Sequence, residues 1–249
     1  MKKNFRIWAV LFWLLVWQLG SMAIGSEILL VSPLRVIKTL ADMIRQMIFW
    51  RSVCFSFIRV FGGFLLGTAL GCLLAVLSSR FQVVRELLSP LVLTVRTVPV
   101  ASFIILALIW FSSKNLSVLI SFLMVLPILY TGVLTGIRER DRELLEMARV
   151  FHVRPWRKLL MIDIPEVYPY FHSACRTALG LSWKSGIAAE VIGMPKGSIG
   201  EHLQQAKVYL DTPALFAWTV VIVLISLLCE RLVLHGMDQG MKMLRRWKG

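Results

Sequence analysis

Charged residues are scarce in this chain, and acidic residues are the scarcer kind. Asp, Glu, Lys and Arg make up 17% of its 249 residues, whereas hydrophobic residues make up 57%. Because ordinary soluble domains carry about 25% charged residues, this composition excludes one and favours an integral membrane protein with a single membrane domain. The net charge of +14 does not indicate nucleic-acid binding, because membrane proteins collect Lys and Arg in their cytoplasmic loops.

The chain also lacks the residue patterns of several enzyme classes. Its four cysteines lie in apolar runs without CxxC spacing, which argues against a disulfide framework or a zinc site. Its four histidines lie in separate segments without an HExxH pattern, so we expect no metal centre and no membrane metalloenzyme. No GxxxxGK(S/T) loop is present, and we therefore predict a chain that binds no cofactor, has no catalytic residue and does not itself hydrolyse ATP.

Long apolar runs are what the sequence does contain. A helix needs about 20 mostly apolar residues to cross the hydrocarbon core. Six segments qualify, at residues 7–24, 53–77, 90–111, 116–137, 166–192 and 213–234. We therefore predict an all-α, polytopic membrane protein with six transmembrane helices, forming a single domain over residues 1–249 with its core at about 50–235. The first segment has features of a signal peptide, but its length and its three tryptophans favour an uncleaved anchor.

Basic residues are distributed unevenly between the predicted loops. If the N-terminus is cytoplasmic, 16 Lys and Arg residues lie on the inner side and 7 on the outer side. Because cytoplasmic loops carry the excess of Lys and Arg, we predict that both termini and segment 138–165 lie in the cytoplasm.

Short local patterns predict where several helices begin. Ser-Pro at 89–90 and Thr-Pro at 212–213 each combine a capping hydroxyl with a proline at the first helical position. Ser-Ile-Gly-Glu at 198–201 is a capping box, which predicts a short outer helix over residues 199–209. Residues 33–50 place apolar and basic side chains at helical spacing, which predicts an amphipathic helix at the outer interface.

Gly63, Gly67 and Gly71 form a stripe of small residues on one face of the second predicted span. Such a stripe allows a second helix to approach closely. The partner helix belongs either to the same chain, which we favour, or to another subunit.

Four residues inside the predicted spans are candidates to line a pathway through the membrane. Arg96 and Pro99 lie in the third span, where Pro99 should bend the helix, although Arg96 can equally reach the cytoplasmic interface. Lys184 and Glu190 lie in the fifth span. A carboxylate within a membrane is a functional candidate by default; the alternative for Glu190 is a structural pair with a basic residue on a neighbouring helix.

A charged segment, residues 138–165, interrupts the apolar runs. Asp141 can cap a helix whose apolar face contains Leu144, Leu145, Ala148 and Phe151. Pro155 can open a second short helix that carries Trp156, Leu159 and Leu160. We predict a helix–turn–helix that projects into the cytoplasm, where its apolar residues meet a partner groove or pack beneath the spans.

The motif in this segment consists of Glu146, Met147 and Ala148, three residues, His152, nine residues, Ile162, one residue, Ile164 and Pro165. It resembles the EAA loop of bacterial ABC-importer permeases, which reads Glu-Ala-Ala, three residues, Gly, nine residues, Ile, one residue, Leu, Pro. Every spacing matches, while Met147, His152 and Ile164 replace Ala, Gly and Leu. His152 is the least conservative change, because Gly adopts a left-handed turn without strain, whereas His must either adopt it at some cost or use a different bend.

Further residues are similar to the nitrate, sulfonate and taurine branch of these permeases. They are Arg96 to Pro99, Trp183-Lys184, Ala188-Ala189-Glu190, Gly197, Gly200, Asp211-Thr212 and Phe216-Ala217. The resemblance covers about residues 50–235 and implies a multi-pass permease of the bacterial inner membrane. It also implies three kinds of protein partner: cytoplasmic ATPase subunits, a second permease copy and an extracytoplasmic substrate-binding protein.

The same resemblance suggests roles for individual residues. ATPase coupling falls on Glu146, Met147, Ala148, Phe151, His152, Ile162, Ile164 and Pro165, and the pathway falls on Arg96, Pro99, Lys184 and Glu190. Small organic anions, sulfonates, nitrate and vitamin precursors are all compatible substrates. The alternative function is a secondary transporter or channel without an ATPase, which internal repeats or more intramembrane carboxylates would favour.

Overall fold

A computed structural model describes residues 7–26 and 29–246, and every regular element within these ranges is a helix. They are α1 (Ile7–Ile24), α2 (Pro33–Ile44), α3 (Met47–Arg80), α4 (Gln82–Thr97), α5 (Val100–Trp110), α6 (Ser113–Arg138), α7 (Arg142–Val150), α8 (Pro155–Lys158), a π-helix (Leu159–Asp163), α9 (Ile164–Gly193), α10 (Ile199–Val208) and α11 (Thr212–Arg246). The all-α prediction is confirmed. Lys2, Lys3, Arg6 and Lys248, which contributed to the predicted orientation, lie outside the described residues.

Three described helices, α3, α6 and α11, are long and apolar enough to cross a membrane. α3 has 34 residues and therefore extends about 51 Å, which exceeds a hydrocarbon core of about 30 Å. α9 is also long, but it carries several charged residues, and α1 is an 18-residue helix. The polytopic architecture is therefore supported, while the predicted count of six spans is not confirmed.

The predicted third span, residues 90–111, is not one helix. α4 already begins at Gln82, runs through Pro90 and ends at Thr97, and the chain then bends by 107° into α5. The predicted helix start at residues 89–90 is thus wrong, because Phe81 ends α3 and α4 starts immediately after it. The predicted bend at Pro99 is present, and Pro99 directly precedes the first residue of α5. Together α4 and α5 form either one broken span or a re-entrant pair.

The bundle core consists of α3, α6 and α9, with α6 in the middle. The glycine stripe of α3 packs against α6: a Cβ on Gly67 would lie 2.9 Å from the carbonyl oxygen of Phe122, and one on Gly71 would lie 3.0 Å from that of Leu126. Because these distances leave no room for a side chain, the stripe serves packing within the chain. Close backbone approach of this kind is how helices gain contact energy in a membrane, where lipid removes most of the hydrophobic drive.

α6 and α9 pack closely through Gly132 and Gly136 of α6, which face Ala174 and Tyr170 of α9. Above this contact, Trp183 of α9 is 1% exposed and anchors the largest apolar cluster of the molecule. The face of α9 that carries Trp183 is therefore fixed against the bundle, which determines the direction of its opposite face.

Three elements surround one end of this core. α10 follows the predicted capping box, in which Ser198 Oγ accepts a hydrogen bond from Glu201 N at 3.0 Å. α11 starts at the predicted Thr-Pro pair, and Asp211 Oδ1 accepts from Ala214 N. α2 packs on α11 but ends at Ile44, so the predicted amphipathic helix over residues 33–50 is too long and its last residues belong to α3.

Candidate coupling segment and buried carboxylate

α7 is a self-capped helix that makes little contact with the long helices. Its N-cap is Asp141, as predicted, whose Oδ1 accepts a 2.8 Å hydrogen bond from Glu143 N. Ala148 is buried, Leu144 and Leu145 are half-buried, and Phe151 is exposed. The predicted apolar face is therefore divided, since most of it points inward and only Phe151 is free for a partner.

The exposed apolar edge of the segment consists of Met147, Val150, Phe151 and Trp156. Val150 and Phe151 are each 74% exposed and Trp156 is 68% exposed. Large apolar side chains this exposed outside the apolar spans are unusual in a protein that works alone, because a contiguous exposed patch usually marks a contact surface. We refer to these four residues as the apolar edge.

His152 lies at the turn between α7 and α8 and adopts φ = 46°, in the left-handed region. Val153 N donates to Ala148 O and His152 N donates to Arg149 O, which is the hydrogen-bond pattern of a Schellman motif. His152 thus takes the backbone conformation for which glycine is preferred, rather than a different bend. The three residues of the turn satisfy carbonyls at the end of α7 without help from a partner.

The segment returns to the bundle through a π-helix. Pro165 is in the first turn of α9, where its ring crowds the carbonyl four residues back and supplies no N–H. Ile164 N instead donates five residues back, to Leu159 O. Arg140, just after α6, pairs with Asp163 of the π-helix and also donates to Ile137 O. This pair links the entry and the exit of the projecting segment.

The remaining motif residues divide between the interior and the surface. Ile162 is buried in the π-helix, Ile164 is exposed, and Pro165 is half-buried. Glu146 is exposed on α7. Only part of the motif is therefore available to another molecule, and the rest shapes the turn and the return to α9.

Glu190, predicted to lie in the pathway, is fully buried near the C-terminal end of α9. Its Oε2 accepts a 2.6 Å hydrogen bond from Ser56 Oγ of α3 and a 3.3 Å hydrogen bond from Gly200 N of α10. Ser56 Oγ in turn accepts from Ile199 N at 3.0 Å. The carboxylate therefore lies at the N-terminus of α10, where backbone N–H groups and the helix dipole favour negative charge.

This arrangement, which we call the outer knot because the predicted topology places it on the extracytoplasmic side, joins three helices through Ser56, Glu190 and the first turn of α10. Arg59, one turn along α3 from Ser56, adds a favourable electrostatic interaction with the carboxylate but donates its own hydrogen bond to Lys114 O. Within the described residues Glu190 forms no ion pair, so the alternative considered for Glu190, a structural pair with a basic residue, stays a prediction. Its pathway role stays a prediction, since no side-chain atom of Glu190 is accessible in this conformation.

The outer knot continues along α3 to a second polar contact. Ser52 Oγ donates to Ile48 O, so its 2.9 Å contact with His202 Nε2 requires the imidazole to be the donor. The His202 ring stacks on Trp218 of α11, with ring centroids 5.1 Å apart. Burial lowers the pKa of His202 below its ordinary value, and nearby Glu201 opposes this effect. His202 thus ties α10 to both α3 and α11.

Lys184, in contrast, lies on the exposed face of α9. That face is a stripe of small and polar residues, Ser173, Thr177, Gly180 and Lys184. Lys184 has no ion-pair partner within the described residues, whereas Arg176 of the same helix pairs with Glu230 at 3.0 Å. A polar stripe on a long helix of a membrane protein faces water or protein rather than lipid.

Arg96 lies in the last turn of α4 and is exposed, and its Nη2 donates a 2.6 Å hydrogen bond to Thr131 Oγ1 of α6. Pro99 is exposed at the bend. The structure brings neither residue into contact with Lys184 or Glu190, so the four predicted pathway residues form no single cluster within this chain.

Comparison with known proteins decides the family. Residues 67–236 match the model of the binding-protein-dependent transport system inner membrane component. The chain belongs to this family. The resemblance seen in the sequence is confirmed, and the chain is a non-catalytic, multi-pass permease component of a binding-protein-dependent transport system.

Relatives with different names share most of the length of this chain. It is 26% identical over 221 residues to a putative aliphatic sulfonates transport permease protein of Bacillus subtilis, covering 88% of this chain and 79% of the relative. It is 23% identical over 239 residues to the taurine transport system permease protein of Escherichia coli, covering 94% and 85%. It is 26% identical over 238 residues to a riboflavin transport system permease protein of Chloroflexus aurantiacus, covering 94% and 87%.

The sequence indicated several residues of the site but not the residues that contact them. Glu190, His152 and Asp141 carried local signals, whereas Ser56 and the Arg140–Asp163 pair did not. Ser56 is one of several serines in apolar helices, and only the fold brings it to Glu190, 134 positions away along the chain. The capping box at Ser198 was the one signal that indicated a helix N-terminus near the carboxylate.

Proposed function

We propose that this chain is the transmembrane permease subunit of an ATP-driven importer and that α7 and α8 dock on a cytoplasmic ATPase subunit. The observation that carries the proposal is the apolar edge. The backbone N–H and C=O groups at the two ends of α7 are already hydrogen-bonded within the chain, through Asp141 at the start and the Schellman turn at His152 at the end. The edge is therefore a preformed surface, and a short amphipathic helix with a few apolar anchors suits a groove on a partner.

The charges around the apolar edge fit a protein partner. Arg142, Arg149, Arg154 and Arg157 are exposed around it, together with Glu143 and Glu146. A rim of both signs favours a defined orientation on a partner surface and contributes more to specificity than to affinity. Glu146 is the residue we assign to orientation, because it lies on α7 one position before Met147 of the edge.

The pathway is proposed to run along the polar stripe of α9 where it faces a second permease copy. Lys184 supplies an unpaired positive charge in this stripe, which favours an anionic substrate. The sulfonate and taurine relatives support a small organic anion for this chain, while the riboflavin relative keeps a vitamin precursor possible. An extracytoplasmic binding protein would deliver the substrate, with both termini of the permease in the cytoplasm and membrane lipids around it.

The test is a charge introduced into the apolar edge. Phe151→Asp should leave membrane insertion and thermal stability unchanged, because Phe151 is exposed, but should reduce copurification of the ATPase encoded with the permease by at least about tenfold, the usual loss at an interface anchor. Ala148→Asp is less informative, since Ala148 is buried and its change would damage the helix itself.

Tyr209→Asp is the matched control. Tyr209 is 79% exposed just after α10, near the outer knot, and its variant should retain the ATPase. Equal ATPase recovery with the Phe151 and Tyr209 variants, together with wild-type uptake, would show that the apolar edge is not the coupling surface.

A further inference from the structure

A cavity of about 600 Å³ opens between α3, α6, α9 and the π-helix. Its wall is apolar at one end, where Cys72, Val133 and Phe171 lie. Its other end is cationic, with Arg80 at the end of α3, Arg140 just after α6 and Lys158 at the end of α8. Of the coupling-motif residues only Ile164 lines the cavity, and no residue of the α9 stripe does, so neither feature accounts for its two different ends.

The change from apolar to cationic follows the helix axes. Cys72 and Arg80 are eight residues apart on α3, which corresponds to about 12 Å. Val76 lies between them and lines the same wall. The cavity thus offers an apolar channel roughly 12 Å long that ends in a polar mouth.

The charges at the mouth are only partly neutralised. Asp163 also lines the cavity, but it is paired with Arg140. Within the described residues Arg80 and Lys158 have no ion-pair partner. Arg80 is exposed and Lys158 is half-buried. Two positive charges therefore remain available next to an apolar cavity.

We propose that the cavity binds one anionic phospholipid, with the phosphate held between Arg80 and Lys158 and the upper part of an acyl chain lying along Val76, Val133 and Phe171. A lipid satisfies both ends, because its phosphate neutralises the mouth and its chain fills the apolar wall. Basic pockets between membrane helices at the headgroup level recognise such headgroups. A peptide segment would leave backbone N–H and C=O groups unpaired against the apolar wall, and a free phosphate ion would leave that wall empty.

The site adjoins the joint between α8 and α9. Leu159 and Asp163, the first and last residues of the π-helix, both line the cavity, and π-helical turns frequently occur at functional sites. A bound lipid would contact the point at which the projecting segment re-enters the membrane. The proposal depends on membrane insertion and does not require the ATPase, so its test is independent of the coupling experiment.

The first experiment measures lipid retained by the full-length chain. The protein is extracted in a neutral detergent, exchanged with equal amounts of phosphatidylglycerol and phosphatidylethanolamine, and examined by native mass spectrometry. We expect one preferentially bound phosphatidylglycerol per chain. The double variant Arg80→Gln with Lys158→Gln should lower this preference about 25-fold, because each basic residue near anionic lipid contributes a factor of about five.

Matched controls separate the site from general surface charge. Arg85→Gln with Lys242→Gln removes the same charge from residues that do not line the cavity and should keep the preference. Val76→Trp should fill the middle of the apolar wall and displace the lipid, whereas Val83→Trp, on an exposed position of α4, should not.

Three results would overturn the proposal: an equal loss in both charge doubles, unchanged lipid retention in Val76→Trp, or displacement of the lipid by inorganic phosphate alone. The last result would identify a site for a free anion.

Discussion

The two ends of the bundle contain similar short helices, but these helices are held to the bundle by different contacts. Each has a short helix between long ones, and each short helix ends in a residue in the left-handed region, His152 after α7 and Leu210 after α10. At the α10 end, Glu190 and Ser56 bind the helix start and His202 fixes its side. At the α7 end, the helix caps itself, and the Arg140–Asp163 pair links the chain just before α7 to the π-helix that follows α8.

The comparison separates an end held by buried polar contacts from an end held by few of them. The outer knot buries a carboxylate and supplies it with donors from α3 and α10, although the residues that follow α10, such as Tyr209, are exposed there as well. At the α7 end, the polar groups are hydrogen-bonded within the segment itself and the apolar edge stays exposed. Buried polar groups that are hydrogen-bonded across helices rigidify a structure, as Glu190 Oε2 is here, although Glu190 Oε1 has no hydrogen-bond partner within the described residues. An exposed apolar cluster, in contrast, gains free energy only when a partner covers it.

The largest expected effect is at Glu190. Glu190→Ala removes the acceptor for Ser56 Oγ and Gly200 N, and each buried group left unpaired costs about 1–3 kcal/mol. Glu190→Gln keeps an oxygen for these donors and fills the same volume, so its loss of stability should be much smaller. Thermal unfolding of the purified chain in detergent measures both, and we expect the Ala variant to unfold at the lower temperature.

The same two variants distinguish a structural role of Glu190 in the outer knot from a role in the transport pathway. If the charge of Glu190 acts on the substrate, Gln should abolish uptake without lowering the unfolding temperature. If Glu190 is structural, uptake should follow stability in both variants. Ala and Gln variants of equal, wild-type stability would show that the carboxylate does not hold α10 in place.

How far the sequence predicted this architecture depended on the range of the interaction. Asp141, Ser198 and Pro155 act on residues within four positions, and their helices begin where the local pattern indicated. The position of Pro90 inside α4 was not predictable in this way, because a proline at a helix start is a preference and the neighbouring helix end at Phe81 decided the boundary.

In the candidate site, too, short-range features were predictable from the sequence and long-range contacts were not. The coupling motif was visible because its residues are close together in sequence, but the motif left open whether His152 adopts the left-handed turn of the family's glycine or a different bend. Which of its apolar residues face outward was not visible, since Ala148 and Phe151 share a helical face on paper but differ in burial. The ligands of Glu190 come from elements far apart in the chain, and no local signal connects them.

A smaller effect is expected at the two left-handed residues. A non-glycine residue in this region carries a strain of about 1–2 kcal/mol, part of which the greater chain entropy of Gly offsets. His152→Gly should therefore stabilise its turn by at most about 1 kcal/mol and slow hydrogen exchange at Val153 N, which bonds to Ala148 O. Leu210→Gly makes the same change at the α10 end.

Comparing His152→Gly with Leu210→Gly tests whether the turns at the two ends of the bundle differ in stability. The turn at Leu210 ends a helix whose start is already fixed by the outer knot, so exchange at Asp211 N, which bonds to Ala206 O, should respond less than exchange at Val153 N. Faster exchange at Val153 N in His152→Gly would mean that the imidazole stabilises the turn through its side chain.

The smallest expected effect is the pH dependence of stability that His202 contributes at the α10 end. Burial lowers the pKa of His202 in the folded chain, so between that value and the ordinary value of about 6.5 the unfolded chain binds more protons. The contribution of His202 to stability is therefore fully present above about pH 6.5 and declines as the pH falls toward the folded pKa. His202→Gln keeps a donor for Ser52 but cannot titrate, so its unfolding temperature should fall less between about pH 8 and about pH 5 than that of the wild type. His235→Gln, an exposed histidine on α11, should leave the wild-type pH dependence intact. An identical pH profile in the His202 variant would show that the docking of α10 does not depend on the neutral imidazole.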